Sequence, residues 1–218
     1  MDQTVKIEPS QDSIYQKICQ DIYAQGYSVT ENVLPDVQFQ HLMNHVTTLP
    51  KNQFHQAGTG REDEHKLNQF VRRDEIHWLD SQHPVEQIWF DWTQKLQQHV
   101  NQRLMLGLFN YEAHVAHYAP GAFYKKHLDA FKGSRSRVLS TVLYLNPQWQ
   151  SNYGGELVIY DEHNHDQILT KVSPMGGTLV CFLSEDFYHE VLPATEARHS
   201  IAGWFRVNEN IGNQLKSV

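Results

Sequence analysis

The sequence predicts an α+β fold that is mainly β, with helices first and a β-core over residues 108–208. Three observations lead there. Apolar residues recur at helical spacing in three stretches before residue 107. From Leu108 onward that pattern gives way to short alternating segments punctuated by Gly and Pro. Roughly eight such segments, each of strand length, suit an antiparallel sandwich or barrel.

Residues 1–12 form a polar lead-in. From Ser13, the residues Ile14, Ile18, Ile22 and Tyr23 share a helical stripe that Gly26 closes. Tyr27 to Val33 reads as a short strand. Pro35 opens a second helix, with Phe39, Leu42, Met43 and Val46 on one stripe up to Leu49. A third helix is predicted from Pro84 to Leu104, with Val85, Ile88, Trp89, Trp92, Leu96 and Val100 facing inward. Between the second and third helices, Gly58 to Lys66 is polar and charged and reads as a mobile loop. Arg72 to Leu79 then returns as a strand. In the β-half, strands are predicted at Glu112–Tyr118, Phe123–Asp129, Val138–Leu145, Glu156–Tyr160, Ile168–Val172, Thr178–Leu183, His189–Leu192 and His199–Val207. The turn signals Pro120-Gly121, Gly154-Gly155 and Gly176-Gly177 separate them.

This gives one domain. Residues 1–107 are a helical support that includes an entrance loop at 58–79, residues 108–208 are the core, and 209–218 are a C-terminal tail. Hydrophobic residues at 40% and charged residues at 20% fit a soluble globular chain rather than a disordered one. No apolar run is long enough to span a membrane, and the N-terminus lacks the pattern of a signal peptide. Cys19 on a helix face and Cys181 in a core strand cannot build a disulfide framework, which points to the cytoplasm. A net charge of −7, with no stripe of Lys or Arg, argues against nucleic acid as the partner.

Histidine is abundant at 14 residues, so accidental metal-like spacings are common and each needs testing. On a strand, His127 and Asp129 would share a face, two positions apart. One ion could take both, although a lone His-x-Asp pair is more often a surface pair than a metal site. His189, from a distant strand, would complete two histidines and a carboxylate. That set leaves three positions of an octahedral ion open, as non-haem Fe(II) oxygenases require. Nine residues further on, Arg198 shares a face with Ser200, Ala202 and Trp204. A guanidinium aimed into a barrel needs a partner, and the carboxylate of a bound 2-oxo acid would serve. An internal acid, or exposure at the strand end, would serve as well. His114 and His117 fall on opposite faces of one strand, and His163 and His165 sit in a polar connection. None of these four is expected to be a ligand.

Taken together, these residues resemble the double-stranded β-helix (jelly-roll, cupin-like) 2-oxoglutarate oxygenases. More narrowly, the chain is similar to the prolyl 4-hydroxylases related to the hypoxia-inducible-factor enzymes and their bacterial relatives. The resemblance runs from Ala113 to Asn208. It includes His114-Val115-Ala116-His117-Tyr118, Tyr124-Lys125-Lys126-His127-Leu128-Asp129, Leu143-Tyr144-Leu145-Asn146, Gly154-Gly155-Glu156-Leu157, and Pro193 with Arg198. Arg72-Arg73-Asp74-Glu75-Ile76-His77-Trp78 is similar to the family's segment beside the substrate entrance.

The resemblance implies Fe(II) on His127, Asp129 and His189, and 2-oxoglutarate gripped by Arg198 with help from the Tyr144 hydroxyl. Tyr118 would support the co-substrate pocket and Trp204 would form an aromatic wall near the metal. Core packing is the alternative role for both tyrosines. Arg72, Asp74 and Arg137 match positions that face a peptide. The implied reaction consumes O2 and 2-oxoglutarate, releases succinate and CO2, and hydroxylates a prolyl residue of a protein, with ascorbate as the accompanying reductant. The segment from Gly58 to Glu75 would act as a lid over that peptide. Ala202 departs from the animal relatives, which place a hydroxyl-bearing residue there, so co-substrate hydrogen bonding should differ. Two other readings stay open. One is the same cofactors acting on a free amino acid or small metabolite, and the other is a non-catalytic sensor of metal or 2-oxoglutarate. The sequence does not fix the oligomeric state.

Overall fold

The computed structural model describes residues 10–58, 70–130 and 137–208. Helix α1 spans Gln11–Gln25. The Ser10 side chain accepts from the Ser13 N–H at its start, and Gly26 closes it at φ 78°, a left-handed conformation that glycine adopts without penalty. Its buried face is Ile14, Tyr15, Ile18, Cys19 and Ile22. Tyr23, expected on that stripe, is 84% exposed, because the burial runs one position back around the helix through Cys19 and Ile22. Helix α2 (Asp36–Thr48) buries Phe39, Leu42 and Val46. Helix α3 (Gln87–Leu104) buries Trp89, Trp92, Leu96 and Val100. It begins at Gln87 rather than at Pro84. The preceding residues form a turn around the buried Glu86 carboxylate, which accepts the Asp80 N–H at 2.6 Å.

The strands are β1 (Tyr27–Thr30), β2 (His55–Gln56), β3 (Glu75–Trp78), β4 (Leu108–Tyr118), β5 (Tyr124–His127), β6 (Leu139–Tyr144), β7 (Leu157–Tyr160), β8 (Ile168–Val172), β9 (Leu179–Leu183), β10 (His189–Val191) and β11 (Arg198–Val207). They form a seven-stranded sheet in the order β1-β9-β6-β11-β4-β3-β2 and a four-stranded sheet in the order β5-β10-β7-β8. All pairings are antiparallel. This is the double-stranded β-helix that the sequence predicts. Several strands differ from expectation: β1 stops at Thr30 rather than Val33, β3 begins at Glu75 rather than Arg72, β4 begins at Leu108 rather than Glu112, and β2 was not predicted. The pair β2 is too short to show any alternation, and β5 ends at His127 instead of running on to Asp129.

Alternation divides the large sheet into two faces. Its outer face, including Val115, Leu139, Leu143, Cys181, Ile201 and Phe205, packs in one apolar cluster with α1, α2 and α3. Between the sheets, Tyr144, Val180 and Phe182 meet Leu157, Ile159 and Val172. On β11 the division is the predicted one. Ile201 and Phe205 join the helix-side core, while Arg198, Ser200 and Trp204 are buried on the other face. Cys19 and Cys181 are buried and unpaired. No described helix is long and apolar enough to cross a membrane. Of the entrance segment, residues 59–69 lie outside the described residues, as does the tail 209–218. The remainder of that segment is tied to the sheet. Arg72 bridges Tyr124, the Arg73 N–H donates to the Phe123 carbonyl at 3.0 Å, and β3 pairs with β4.

Candidate active site

The register of the small sheet brings the first two residues together. Strand β10 sets His189 directly opposite His127 on β5, with ring centroids 4.2 Å apart. Asp129 arrives from a bend just past the end of β5, so a turn rather than strand alternation brings it beside His127. Its carboxylate lies 3.6 Å from His127 Nε2 and 3.7 Å from His189 Nε2. One ligand atom from each residue falls within 4.8 Å of the others, a spacing one metal ion can bridge.

Hydrogen bonds fix how these groups present themselves. His127 Nδ1 is 2.7 Å from the Lys125 carbonyl and His189 Nδ1 is 3.1 Å from the Phe187 carbonyl. A carbonyl can only accept, so each Nδ1 carries the hydrogen and each Nε2 of a neutral ring offers a lone pair. Burial, reinforced by His127 nearby, pushes His189 down to about 4, which keeps it neutral at physiological pH. Burial alone would raise Asp129. The imidazoles of His189 and His127 and a 2.7 Å hydrogen bond from the Ser140 hydroxyl outweigh it and hold the carboxyl well below its usual range. Two ring nitrogens and an ionised carboxylate thus converge, an arrangement that a cation satisfies. The residues present fit Fe(II).

Arg198 provides the second half of the site. It is 1% exposed, its guanidinium lies 4.0 Å over the Tyr118 ring, and its Nε and Nη2 have no hydrogen-bond partner among the described residues. A buried guanidinium lacking an acid is costly by several kcal/mol, so the position calls for an incoming anion. Gly155 makes room for the side chain. At φ 77°, any Cβ there would approach Arg198 Cδ to 3.3 Å and the Ala194 methyl to 2.9 Å. Tyr144 lies opposite Ser200 on β6, and burial pushes its hydroxyl up to about 12 against the opposing pull of Arg198. It therefore remains a donor.

Around the rim, the Arg72 guanidinium grips both oxygens of Asp74 at 2.7 and 2.5 Å and lies over the Tyr124 ring at 4.3 Å. The Asp74 side chain is 0% exposed and that of Arg72 is 11% exposed. Arg137 lies 3.7 Å over the Trp204 ring and bonds Glu112 at 3.2 Å. Trp204 is 8% exposed, and its indole nitrogen has no partner among the described residues. His114 is buried between Trp78 and Trp204, and His117 stacks on His199 on the other face of the sheet. His163 and His165 are exposed. All four stand outside the His127–Asp129–His189 group.

Two residues escaped the sequence reading. Tyr124 stacks on His127 at 3.5 Å and links that ring to Arg72. Ser140 orients Asp129 and is itself bonded to Ser184 at 2.8 Å. The signal for Ser140 was available, because it has the same strand parity as Tyr144.

A model of the 2OG-Fe(II) oxygenase superfamily matches residues 113–206. A prolyl-4-hydroxylase from Pseudomonas putida superposes with a TM-score of 0.79 at 33% identity, over 89% of this chain and 99% of that one. A prolyl hydroxylase from Trichoplax adhaerens, solved with a peptide of hypoxia-inducible factor, shares the fold at a TM-score of 0.80 and 22% identity, covering 95% and 94% of the two chains. The prolyl 3-hydroxylase OGFOD1 of Mus musculus is 37% identical over 86 residues, which are 36% of this chain and only 15% of that protein. The chain belongs to the 2OG-Fe(II) oxygenase superfamily, among its prolyl hydroxylase-like members. The family implies Fe(II), 2-oxoglutarate and dioxygen, and the His127–Asp129–His189 group is a site that can take the metal.

Proposed function

We propose that this protein hydroxylates a prolyl residue within a protein substrate, at the 4-position, while 2-oxoglutarate is converted to succinate and CO2. The observation that carries this reading is the pairing of a His-Asp-His group able to hold one ion with a buried arginine whose Nε and Nη2 have no partner among the described residues. The similarity to the Pseudomonas putida prolyl-4-hydroxylase over nearly its full length supports the prolyl substrate and the 4-position.

In this reading His127, Asp129 and His189 hold Fe(II), which when bound supplies the redox chemistry that activates dioxygen. Arg198 binds the distal carboxylate of 2-oxoglutarate and Tyr144 donates to the same group. Tyr118, stacked on the guanidinium, keeps water from it. Ser140 holds the Asp129 carboxylate in position, and Tyr124 holds the His127 ring. Trp204 walls the cleft, while Arg72 and Arg137 face the peptide and Asp74 fixes Arg72. The entrance segment serves as the lid. Residues 1–107 and 108–208 act as one domain, with the helices supporting the core and 209–218 as a tail. Ascorbate serves as the external reductant. The compartment is the cytoplasm, a placement supported by the two buried free thiols.

Incubation of the enzyme, Fe(II) and 2-oxoglutarate with the host proteome tests this. Expected are one-oxygen mass increases on proline, identified as 4-hydroxyproline after hydrolysis, with an equivalent of succinate. Succinate formed only with free amino acids or metabolites would replace the protein substrate with a small one. No succinate at all, despite metal binding, would make the protein a sensor.

A further inference from the structure

A second group of metal-competent side chains lies away from the catalytic cleft. His45 on α2, together with His83 and Glu86 from the turn that leads into α3, each place a ligand atom within 4.8 Å of the others. His77 on β3 is a fourth donor, with Nε2 3.7 Å from Glu86 Oε1. These side chains line one surface cavity of about 360 Å³. His77 faces the helix side of the sheet, since its cross-strand neighbour is Val115 of the outer core, whereas the adjacent Trp78 lies opposite His114 on the cleft side.

Ordinary hydrogen bonding accounts for only part of this group. Glu86 is 1% exposed. One of its oxygens accepts the Asp80 N–H, and the other lies 2.7 Å from His45 Nε2. That contact holds one proton. His77 Nδ1 lies 3.4 Å from the Gln53 carbonyl, which turns its Nε2 toward the carboxylate. His83 stacks on His45 at 4.3 Å, and its Nδ1 is buried without a hydrogen-bond partner among the described residues. What hydrogen bonding leaves over is the His83 nitrogen, which faces this cluster with no partner among the described residues.

We propose that His45, His83 and Glu86, with His77 as the fourth donor, form a second metal site of the zinc type on the helix side of β3. Three imidazoles and one carboxylate are a donor set that Zn2+ takes in four-coordinate geometry. The ligand atoms of His45, His83 and Glu86, within 4.8 Å of one another, have to close to roughly 3.3 Å, the edge of a tetrahedron with metal–nitrogen bonds of about 2.0 Å, and His77, which lies outside that mutual distance, has to turn in with them. On binding, the metal displaces the proton shared by His45 and Glu86. It then ties α2, β3 and the turn before α3 together, three pieces distant in sequence. Because the opposite face of β3 adjoins the catalytic cleft, the metal also fixes the strand that continues from Arg72 and Asp74.

The test uses tag-free, chelator-stripped full-length protein and Zn2+ in equilibrium dialysis. Two equivalents per chain are expected for wild type and one for Asp129→Ala. None is expected when His77→Ala and His83→Ala are added to Asp129→Ala. Those two changes leave the buried His45–Glu86 hydrogen bond intact, so the fold is retained, and Glu86→Gln serves as an independent second variant. In the Asp129→Ala protein, Zn2+ should raise the melting temperature, and the rise should vanish with the two histidines. Co2+ there should give the intense visible bands of a four-coordinate ion. The proposal is overturned if Asp129→Ala binds no zinc, or if its equivalent survives removal of His77 and His83. Either result leaves the catalytic reading standing, since that rests on other residues.

Discussion

On the outer face of the seven-stranded sheet, Val115, Leu139, Leu143, Ile201 and Phe205 pack against the helices. The inner face of the same strands carries His114, Tyr118, Ser140, Tyr144, Arg198 and Ser200, all buried. One face is an apolar core whose energy scales with the area removed from water. The other holds polar groups that lose hydration on folding, and two of them, His114 and Arg198, have nitrogens with no hydrogen-bond partner among the described residues. The difference between them shows where stability ends and function begins. The helices and outer face supply the surplus that keeps an unsatisfied inner face folded, and the unsatisfied groups mark where ligands go.

Substitutions on the two faces should therefore produce different kinds of damage. The largest effect is expected from Asp129→Ala, which should reduce iron binding and turnover to background while leaving thermal stability without metal near wild type. Metal analysis with a succinate assay checks this. Wild-type turnover would remove Asp129 from the ligand set. Leu143→Ala on the outer face should destabilise the fold by roughly 2–5 kcal/mol and leave the 2-oxoglutarate requirement unchanged, as read from denaturant melts and steady-state kinetics. Arg198→Ala should raise the KM for 2-oxoglutarate by about 10- to 100-fold, the worth of a charge-assisted hydrogen bond of some 1.5–3 kcal/mol. An unchanged KM would place the anchor elsewhere.

Smaller effects sharpen the contrast. Ser140→Ala removes the hydroxyl that orients Asp129 and should weaken iron affinity about 10-fold, the lower end for groups that position a ligand. The least effect concerns His199, which burial, and secondarily His117, pushes down to about 4. The unfolded chain takes up that proton near pH 6.5, so this contribution to stability is complete above that pH and is lost as pH falls toward about 4. Replacement by Gln should flatten the acid side of a stability–pH profile, and a profile identical to wild type would mean that His199 is not buried neutral.

Much of this was legible in the sequence because two periodicities change over near residue 107. The helical stripes Ile14/Ile18/Ile22 and Trp89/Trp92/Leu96/Val100 identified the supporting layer, and the alternation of Arg198, Ser200 and Trp204 against Ile201 and Phe205 identified the sheet's two faces. Boundaries were less legible where tertiary contacts set them. The start of α3 depends on a buried Glu86 meeting His45, and the end of β5 depends on a bend. Local periodicity records neither contact. Asp129 reached His127 by a different route from the one its spacing suggested, and the burial of Asp74 against Arg72 is a tertiary contact that spacing does not record. The group around Glu86 was invisible for the same reason, since its donors come from α2, β3 and a turn.

Anaerobic titration of the metal-free protein with Fe(II) and then 2-oxoglutarate tests the inner-face site most directly. With both present, a visible charge-transfer band should develop at one equivalent of each, shift to higher 2-oxoglutarate concentration in Arg198→Ala, and be lost in Asp129→Ala. A wild-type protein that shows no band, or a band that Asp129→Ala retains, would contradict the assignment of this cleft to iron and its co-substrate.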